Sequence, residues 1–315
     1  MKVLFVGHYM PGCTTRMRGE YLRQLLQPET FTVVDTDIPI YGTNRLFRSF
    51  GWRYYRGPLI RNVNQYIREQ VKNAADFDLI WIDKGVFIEP GVLAALKKPG
   101  TLLVHFTPDT AFTNNESHLF NAALPLYDYC VTTKSFELDM YKKAGAGKVL
   151  YCTQGYDPAL HHAYHRFEEK TGVVFIGQHE PWRETAIGGL LERKIRVKLA
   201  GAGWSGFAGK HRDNPALEYL GTGLFDEQYA RAISGSLVGL GFLSKRFPEL
   251  HTTRTFEIPA CETALAAEDN DETRTFYTDD EVIYFKQPEE MVNKVEYMLQ
   301  HPEALERMIA KAKRK

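Results

Sequence analysis

One run of this chain concentrates most of its chemistry: Phe247-Pro248-Glu249-Leu250-His251-Thr252-Thr253-Arg254-Thr255-Phe256-Glu257-Ile258-Pro259-Ala260-Cys261. Two carboxylates, Glu249 and Glu257, bracket seven residues. His251 and Thr252 stand just before a helix that the pattern predicts from Thr253 to Leu265. A helix start offers free N–H groups and the positive end of a dipole, which suit a diphosphate. Arg254 on the first turn adds charge, and Glu257 one turn further could accept hydrogen bonds from ribose hydroxyls, since an ionised carboxylate only accepts. A capped surface helix with ordinary charges would read the same way.

A second loop could also approach a ligand. Gly7-His8-Tyr9-Met10-Pro11-Gly12 follows the first apolar run, and glycines there let backbone come close. It is not the GxGxxG of a dinucleotide site, Asp35 and Asp37 are only candidates for the acidic residue such a site needs, and a plain βα turn explains it as well.

The elements that must position these residues alternate along the whole chain. Val3–Val6, Phe31–Val34, Leu79–Ile82, Leu102–Phe106, Tyr129–Thr132 and Val149–Cys152 are short continuous apolar runs, the signature of parallel strands covered on both faces. Amphipathic helices at Arg16–Leu26, Leu59–Val71 and Ser135–Ala144 lie between them. Gln154–Glu169 is irregular, polar and rich in histidine, and reads as a connector. The pattern then restarts with strands at Val173–Ile176, Val197–Ala200, Leu217–Leu220, Val238–Phe242 and Val282–Phe285, and helices at Trp182–Arg193, Asp226–Ile233, Pro288–Leu299 and Pro302–Ala312. The expected fold is therefore α/β, with two Rossmann-like doubly wound domains, residues 1–155 and 156–315, facing across a cleft where ligands bind.

Composition narrows the class. The chain has 315 residues, 44% hydrophobic and 25% charged, with 39 basic and 39 acidic residues, a globular profile without the basic excess of a bulk nucleic-acid binder. Cys13, Cys130, Cys152 and Cys261 form no CxxC pair, and Cys130 and Cys152 read as buried thiols in a reducing cytosol. No apolar stretch approaches the length of a membrane span, and the N-terminal run lacks a signal-peptide pattern, so the expectation is a cytoplasmic protein, soluble or peripheral on the inner face of the membrane.

Arg254-Thr255-Phe256-Glu257-Ile258-Pro259-Ala260-Cys261 resembles the donor-site signature of the CgeB-like glycosyltransferases, within the group 1 glycosyltransferases of GT-B fold. The stretches Thr278–Phe285, Gln287–Met291, Leu299–Glu303, Tyr127–Thr133, Gln154–Pro158, Phe175–Gly177 and Arg183-Glu184 fit the same resemblance, which spans roughly 75–305. It implies a nucleotide-sugar donor, with uridine as the base, held mainly by the second domain. On that resemblance Glu257 binds ribose, Glu249 lies beside the donor sugar, and His251, Thr252, Thr253 and Arg254 belong to the diphosphate site. Gly177 and Arg183 face the phosphates, Gly221-Thr222-Gly223-Leu224 lies near the base, Gly7 lines the first-domain loop, and His105 at a strand end resembles the active-site histidine. Two departures stand out. The family carries one or two glycines after the Ala-Cys pair, where this chain has Glu262-Thr263. The family also continues past the last helix, where this chain stops at Lys313-Arg314-Lys315, as a truncated or short variant would.

No Asp-x-Asp motif ends a strand, Asp269, Asp271, Asp279 and Asp280 read as solvated turn carboxylates, and His161, His162 and His165 read as surface or hinge residues. The expectation is transfer without a catalytic metal or cofactor, with leaving-group charge met by Arg183 and Arg254, and Lys245 or Arg246 as a further cation. An inverting enzyme needs a base, for which Asp109, His8 or Glu20 could serve. The spacing of Glu249 and Glu257 leans towards retention. The acceptor would be a cell-surface glycan or lipid-linked glycoconjugate. An epimerase of the same fold, or a binding subunit without catalysis, is the alternative.

Residues 38–68 contain no acidic residue but six arginines, Arg45, Arg48, Arg53, Arg56, Arg61 and Arg68, interleaved with Phe47, Phe50, Trp52, Tyr54 and Tyr55. Arginine among aromatics suits an anionic membrane surface, here through residues 45–68, or a polyanionic acceptor. A loop packed on the first domain with solvated arginines is the plainer reading, and nothing else in the sequence supports nucleic acid.

Overall fold

The computed structural model describes residues 1–72, 76–113 and 115–313; Arg314 and Lys315, part of the terminal stop noted above, lie outside them. The chain divides into two compact units, Met1–Thr153 and Gln154–Lys315.

In the first unit, β1 (Lys2–Gly7), β2 (Thr30–Asp35), β3 (Leu79–Asp83), β4 (Leu102–Thr107), β5 (Tyr129–Thr132) and β6 (Val149–Tyr151) form a parallel sheet in the order β2-β1-β3-β4-β5-β6. Side chains alternate between faces, as strand geometry requires. Leu4, Val6, Ile80, Ile82 and Leu103 pack with Leu59, Val63 and Ile67 of the helix Pro58–Val71. Val3, Leu79 and Val104 turn the other way, towards Leu26 of the helix Thr14–Leu26.

In the second unit, β7 (Val173–Ile176), β8 (Val197–Ala200), β9 (Leu217–Tyr219), β10 (Val238–Gly241), β11 (Ala264–Glu268) and β12 (Ile283–Phe285) form another parallel sheet, ordered β12-β11-β10-β7-β8-β9. The helix Pro288–Leu299 packs on Pro181–Glu192 and on β12, and Pro302–Ala312 packs on β11. All three helices begin with proline, whose missing N–H costs nothing in a first turn.

Two segments depart from the sequence expectation. The helix expected over Thr253–Leu265 covers only Arg254–Ala260. Pro259 stands inside it, Glu262 turns left-handed at φ 53°, and Ala264–Glu268 becomes an interior strand between β10 and β12. Alanine and leucine favour helix, but pairing on both edges overrides that preference. Residues 45–54, read as a loop in the plainer view, form the helix Arg45–Tyr54, with the Asn44 side chain accepting from the Leu46 N–H at its start.

Candidate functional site

In each sheet the chain reverses its direction of strand addition once, and ligand crevices of open α/β sheets lie beyond the strand C-termini at that point. In the second unit the reversal falls between β7 and β10. The loops beyond them are 177–180, leading into the helix Pro181–Glu192, and 242–253, leading into Arg254–Ala260. Gly177, Arg183, Glu249, His251, Thr252, Thr253, Arg254 and Glu257 lie on these two loops and the helices they lead into, while Gly223 and Leu224 follow β9.

Arg183 is 4% exposed. Its Nη1 donates to the Gln178 carbonyl at 2.7 Å and its Nη2 lies 3.2 Å from Glu180. Its Nε is buried without a partner, and so is Nε of Arg254. Burial lowers the Arg183 pKa; Glu180, Glu268 and Glu249 push it back up, and the like charge of Arg254 pushes it down. Two guanidiniums that sense each other, each with an unused buried donor, form an arrangement that an anion would complete. Glu249 is half-buried and acts electrostatically on Arg183.

Two carboxylates that sequence reasoning missed hold the 243–245 loop in place. Glu180 accepts from the Lys245 N–H at 3.0 Å and Glu268 from the Leu243 N–H at 2.8 Å. Burial works to raise the Glu180 pKa, but the Lys245 N–H, Ser244 and Arg183 outweigh it and leave the carboxyl below its usual value. Lys245, the further cation expected from sequence, pairs through Nζ with Glu268 and lies 4.9 Å over the Trp182 ring.

Glu257 is 8% exposed and sits between two groups far away in sequence. Oε2 accepts from the Tyr229 hydroxyl at 2.5 Å, and Oε1 lies 3.7 Å from Nε2 of His161. The Asp157 N–H donates to His161 Nδ1 at 3.1 Å, so the neutral ring carries its proton on Nε2, towards Glu257. Burial and then the Glu257 charge raise the Tyr229 pKa well above its ordinary value, which keeps it a donor. His161 is therefore an interior residue, 5% exposed, and not the surface or hinge histidine expected.

His251 is 1% exposed and fully engaged. Nε2 accepts from the Gln154 N–H at 3.1 Å, and Nδ1 faces Glu272. The structure thus makes it a tie to the start of the unit, in place of the phosphate contact expected, because both ring nitrogens already have partners. Thr252 keeps a buried Oγ without a partner, and Thr253 caps the short helix without a side-chain bond. Gly177 follows β7 directly, and its carbonyl accepts from Trp204 Nε1 at 2.8 Å. A Cβ on the neighbouring Gly201, at φ 137°, would come within 2.0 Å of that carbonyl, so backbone packs on backbone there. Gly223 lies against the Phe225 ring, and Leu224 packs half-buried beside the core formed by Ile233 and Ile258.

In the first unit the reversal falls between β1 and β3. Gly7 ends β1, and a Cβ there would meet Asp83 at 2.9 Å and Thr15 at 3.0 Å. Arg18 holds Asp83 with both sides of its fork, at 2.9 and 3.1 Å, and Thr15 adds a third bond at 3.1 Å. Lys84 follows in a left-handed conformation, φ 67°, and reaches Asp109 at 2.6 Å. Burial works to raise the Asp109 pKa, but Lys84 outweighs it and holds the carboxyl below its usual value. Of the other base candidates, His8 pairs through Nδ1 with Asp37 at 2.6 Å, and Glu20 accepts from the Tyr9 hydroxyl at 3.1 Å. The run Asp83-Lys84-Gly85 just after an apolar strand is a turn signal that could have marked this crevice.

His105 needs correction. It was expected at an open strand end, but its ring is 1% exposed within β4, among Phe120, Tyr127 and Tyr141. Nε2 donates to the Lys84 carbonyl at 3.1 Å, and Nδ1 has no partner. Burial pushes its pKa down to about 4, so it is neutral and enclosed.

Among the described residues no three His, Cys, Asp or Glu side chains are placed to share a metal ion, and no helix is long and apolar enough to cross a membrane. Cys130 and Cys261 are buried and Cys152 is half-buried, where burial of both Cys130 and Cys152 was expected.

Comparison with known proteins places these observations. Residues 180–315 match the family described as glycosyl transferase-like. No curated protein matches the sequence. Among solved structures, HepE from Anabaena, crystallised with UDP and glucose, is 14% identical, with a TM-score of 0.62 over 100% of this chain and 94% of its own. A UDP-forming α,α-trehalose-phosphate synthase from Burkholderia xenovorans is 9% identical, with a TM-score of 0.61 over 100% and 96%. The UDP-GlcNAc 2-epimerase from Neisseria meningitidis is 11% identical, with a TM-score of 0.55 over 100% and 98%. The two-unit α/β fold is thus of the GT-B class, as the resemblance implied. A synthase and an epimerase share it, so fold alone does not name the reaction.

Proposed function

We propose that this chain is a glycosyltransferase whose second unit holds a nucleotide-sugar donor. The observation that carries the reading is the pair Arg183 and Arg254, each with a buried Nε lacking a partner, beside the sheet reversal and next to Glu249 and Glu257. Both arginines lie in the stretch that matches a glycosyl transferase-like family. The guanidiniums receive the diphosphate and the charge that develops on it as the glycosidic bond breaks, without a metal ion. Glu257, held by Tyr229 and aligned with His161, accepts from the ribose hydroxyls. Glu249 stands beside the sugar, and Leu224 with Gly223 flanks the base. Uridine is the base we favour, supported by the UDP in the HepE structure of like fold. The first unit, with Lys84, Asp109 and His8 at its strand ends, takes the acceptor, a glycan or lipid-linked glycoconjugate. The free thiols of Cys13, Cys130, Cys152 and Cys261 support a reducing, cytoplasmic setting.

The test is a thermal-shift screen against UDP, GDP, dTDP and CDP, with wild type and Glu257→Ala. A nucleotide at 100 times its dissociation constant stabilises by about 2.7 kcal/mol. One nucleotide should raise the melting temperature of wild type and leave the variant unmoved. No shift with any of the four overturns the donor site.

A further inference from the structure

We infer that the helix Arg45–Tyr54 and its flanks dock this protein on an anionic phospholipid surface. Helical spacing puts Leu46, Phe47, Phe50 and Tyr54 within an arc of about 100°. All four are exposed, Leu46 at 79% and Phe47 at 52%. The helix is held outside that arc: Gly51, about 40° beyond Phe47, is buried against Leu59, and Trp52 on the far side packs edge-on to Phe87 at 4.6 Å. Ile38 and Tyr41 of the preceding short helix are also exposed, at 56% and 61%, and the Arg48 guanidinium lies 5.2 Å over the Tyr41 ring.

Charge selects the occupant. Arg45, Arg53, Arg56 and Arg61 are exposed, and no carboxylate pairs with them among the described residues. Residues 38–68 hold no acid, while the whole chain is formally neutral, so the positive charge is concentrated in this segment. A symmetric contact between two copies would press this arginine cluster against its own duplicate, and the segment itself supplies no acid to relieve it. Nucleic acid would use the aromatics for stacking but finds nothing to do with the aliphatic Leu46 and Ile38. A lipid surface takes both parts at once, with apolar side chains at the acyl boundary and guanidiniums on headgroup phosphates.

The test is co-sedimentation of the full chain with phosphatidylcholine vesicles, with and without phosphatidylglycerol, at low and high salt. Wild type should bind the anionic vesicles at least about tenfold better than the neutral ones, and lose that preference in high salt. Two surface variants, R45Q/R53Q/R56Q/R61Q and L46S/F47S/F50S, should each lose binding by at least about tenfold while keeping the wild-type melting temperature. Equal or absent binding to both vesicle types overturns the inference, and so does unchanged binding in both variants. Tighter retention on a single-stranded oligonucleotide than on vesicles, or a dimer in light scattering that the apolar variant abolishes, also overturns it. The inference does not rest on sugar transfer: the nucleotide shift of both variants should equal that of wild type, so either reading can fail alone.

Discussion

Oε2 of Glu257 accepts a 2.5 Å hydrogen bond from the Tyr229 hydroxyl, so a carboxylate on the helix Arg254–Ala260 is oriented by the helix Asp226–Ser234. If that orientation serves the ribose, Tyr229→Phe should weaken UDP binding by roughly fivefold and cost about 1–3 kcal/mol of stability, as loss of a buried bond to a charged group does. Glu257→Ala should abolish binding. A UDP titration followed by melting temperature, together with urea midpoints, separates the two effects. Unchanged UDP affinity in Tyr229→Phe would show that the pair is structural only.

Arg254 and Arg183 should separate by readout. The Arg183 side chain is 5% exposed against Glu180 at 7%, so Arg183→Gln removes the cation beside a buried carboxylate that keeps its Lys245 N–H bond, and should cost about 1–3 kcal/mol of stability. Arg254→Gln strands nothing, because its Nε has no partner, and stability should change by less than about 1 kcal/mol. UDP affinity should nonetheless fall by about tenfold or more, as expected for a lost charge-assisted contact. Equal UDP affinity in wild type and Arg254→Gln counts against the arginine pair as the diphosphate site.

The buried His105 gives the first unit a defined acid sensitivity. Its pKa falls from 6.5 to about 4 on folding. Above pH 6.5 both folded and unfolded chains hold it neutral. As pH drops below 6.5 the unfolded chain takes up the proton first, so stability is lost progressively down to about pH 4. The difference is on the order of 3 kcal/mol. Urea midpoints across this range should fall more steeply for wild type than for His105→Gln, and parallel curves would contradict the burial argument.

Glu262 occupies the position where the resembled family carries glycine, and it adopts the left-handed conformation at φ 53° that favours glycine. The turn behind Arg254–Ala260 is therefore kept despite the substitution. Lys313 pairs with the exposed part of Glu262, which offsets little. Glu262→Gly should raise stability by up to about 1 kcal/mol without altering UDP affinity. A loss of stability in denaturant would mean that the ion pair outweighs the backbone strain.

Much of the fold was legible in the sequence. Strands such as Val173–Ile176 are buried on both faces and so appear as unbroken apolar runs. Helices such as Pro288–Leu299 announce their starts with proline and early acids. The chemistry of Arg183, Arg254 and Glu257 was likewise visible as residue types beside a predicted turn and helix. Tertiary structure alone decided the rest. Ala264–Glu268 has the composition of a helix and became a strand because β10 and β12 offered pairing on both edges. The aromatic neighbours Phe120, Tyr127 and Tyr141 enclose His105, and which face of a strand is covered is set by elements distant in sequence. Local pattern determines the elements because backbone preference and periodicity act over a few residues. The environment of a side chain is a long-range property, and so His161 meeting Glu257 from 96 residues away had no local signal.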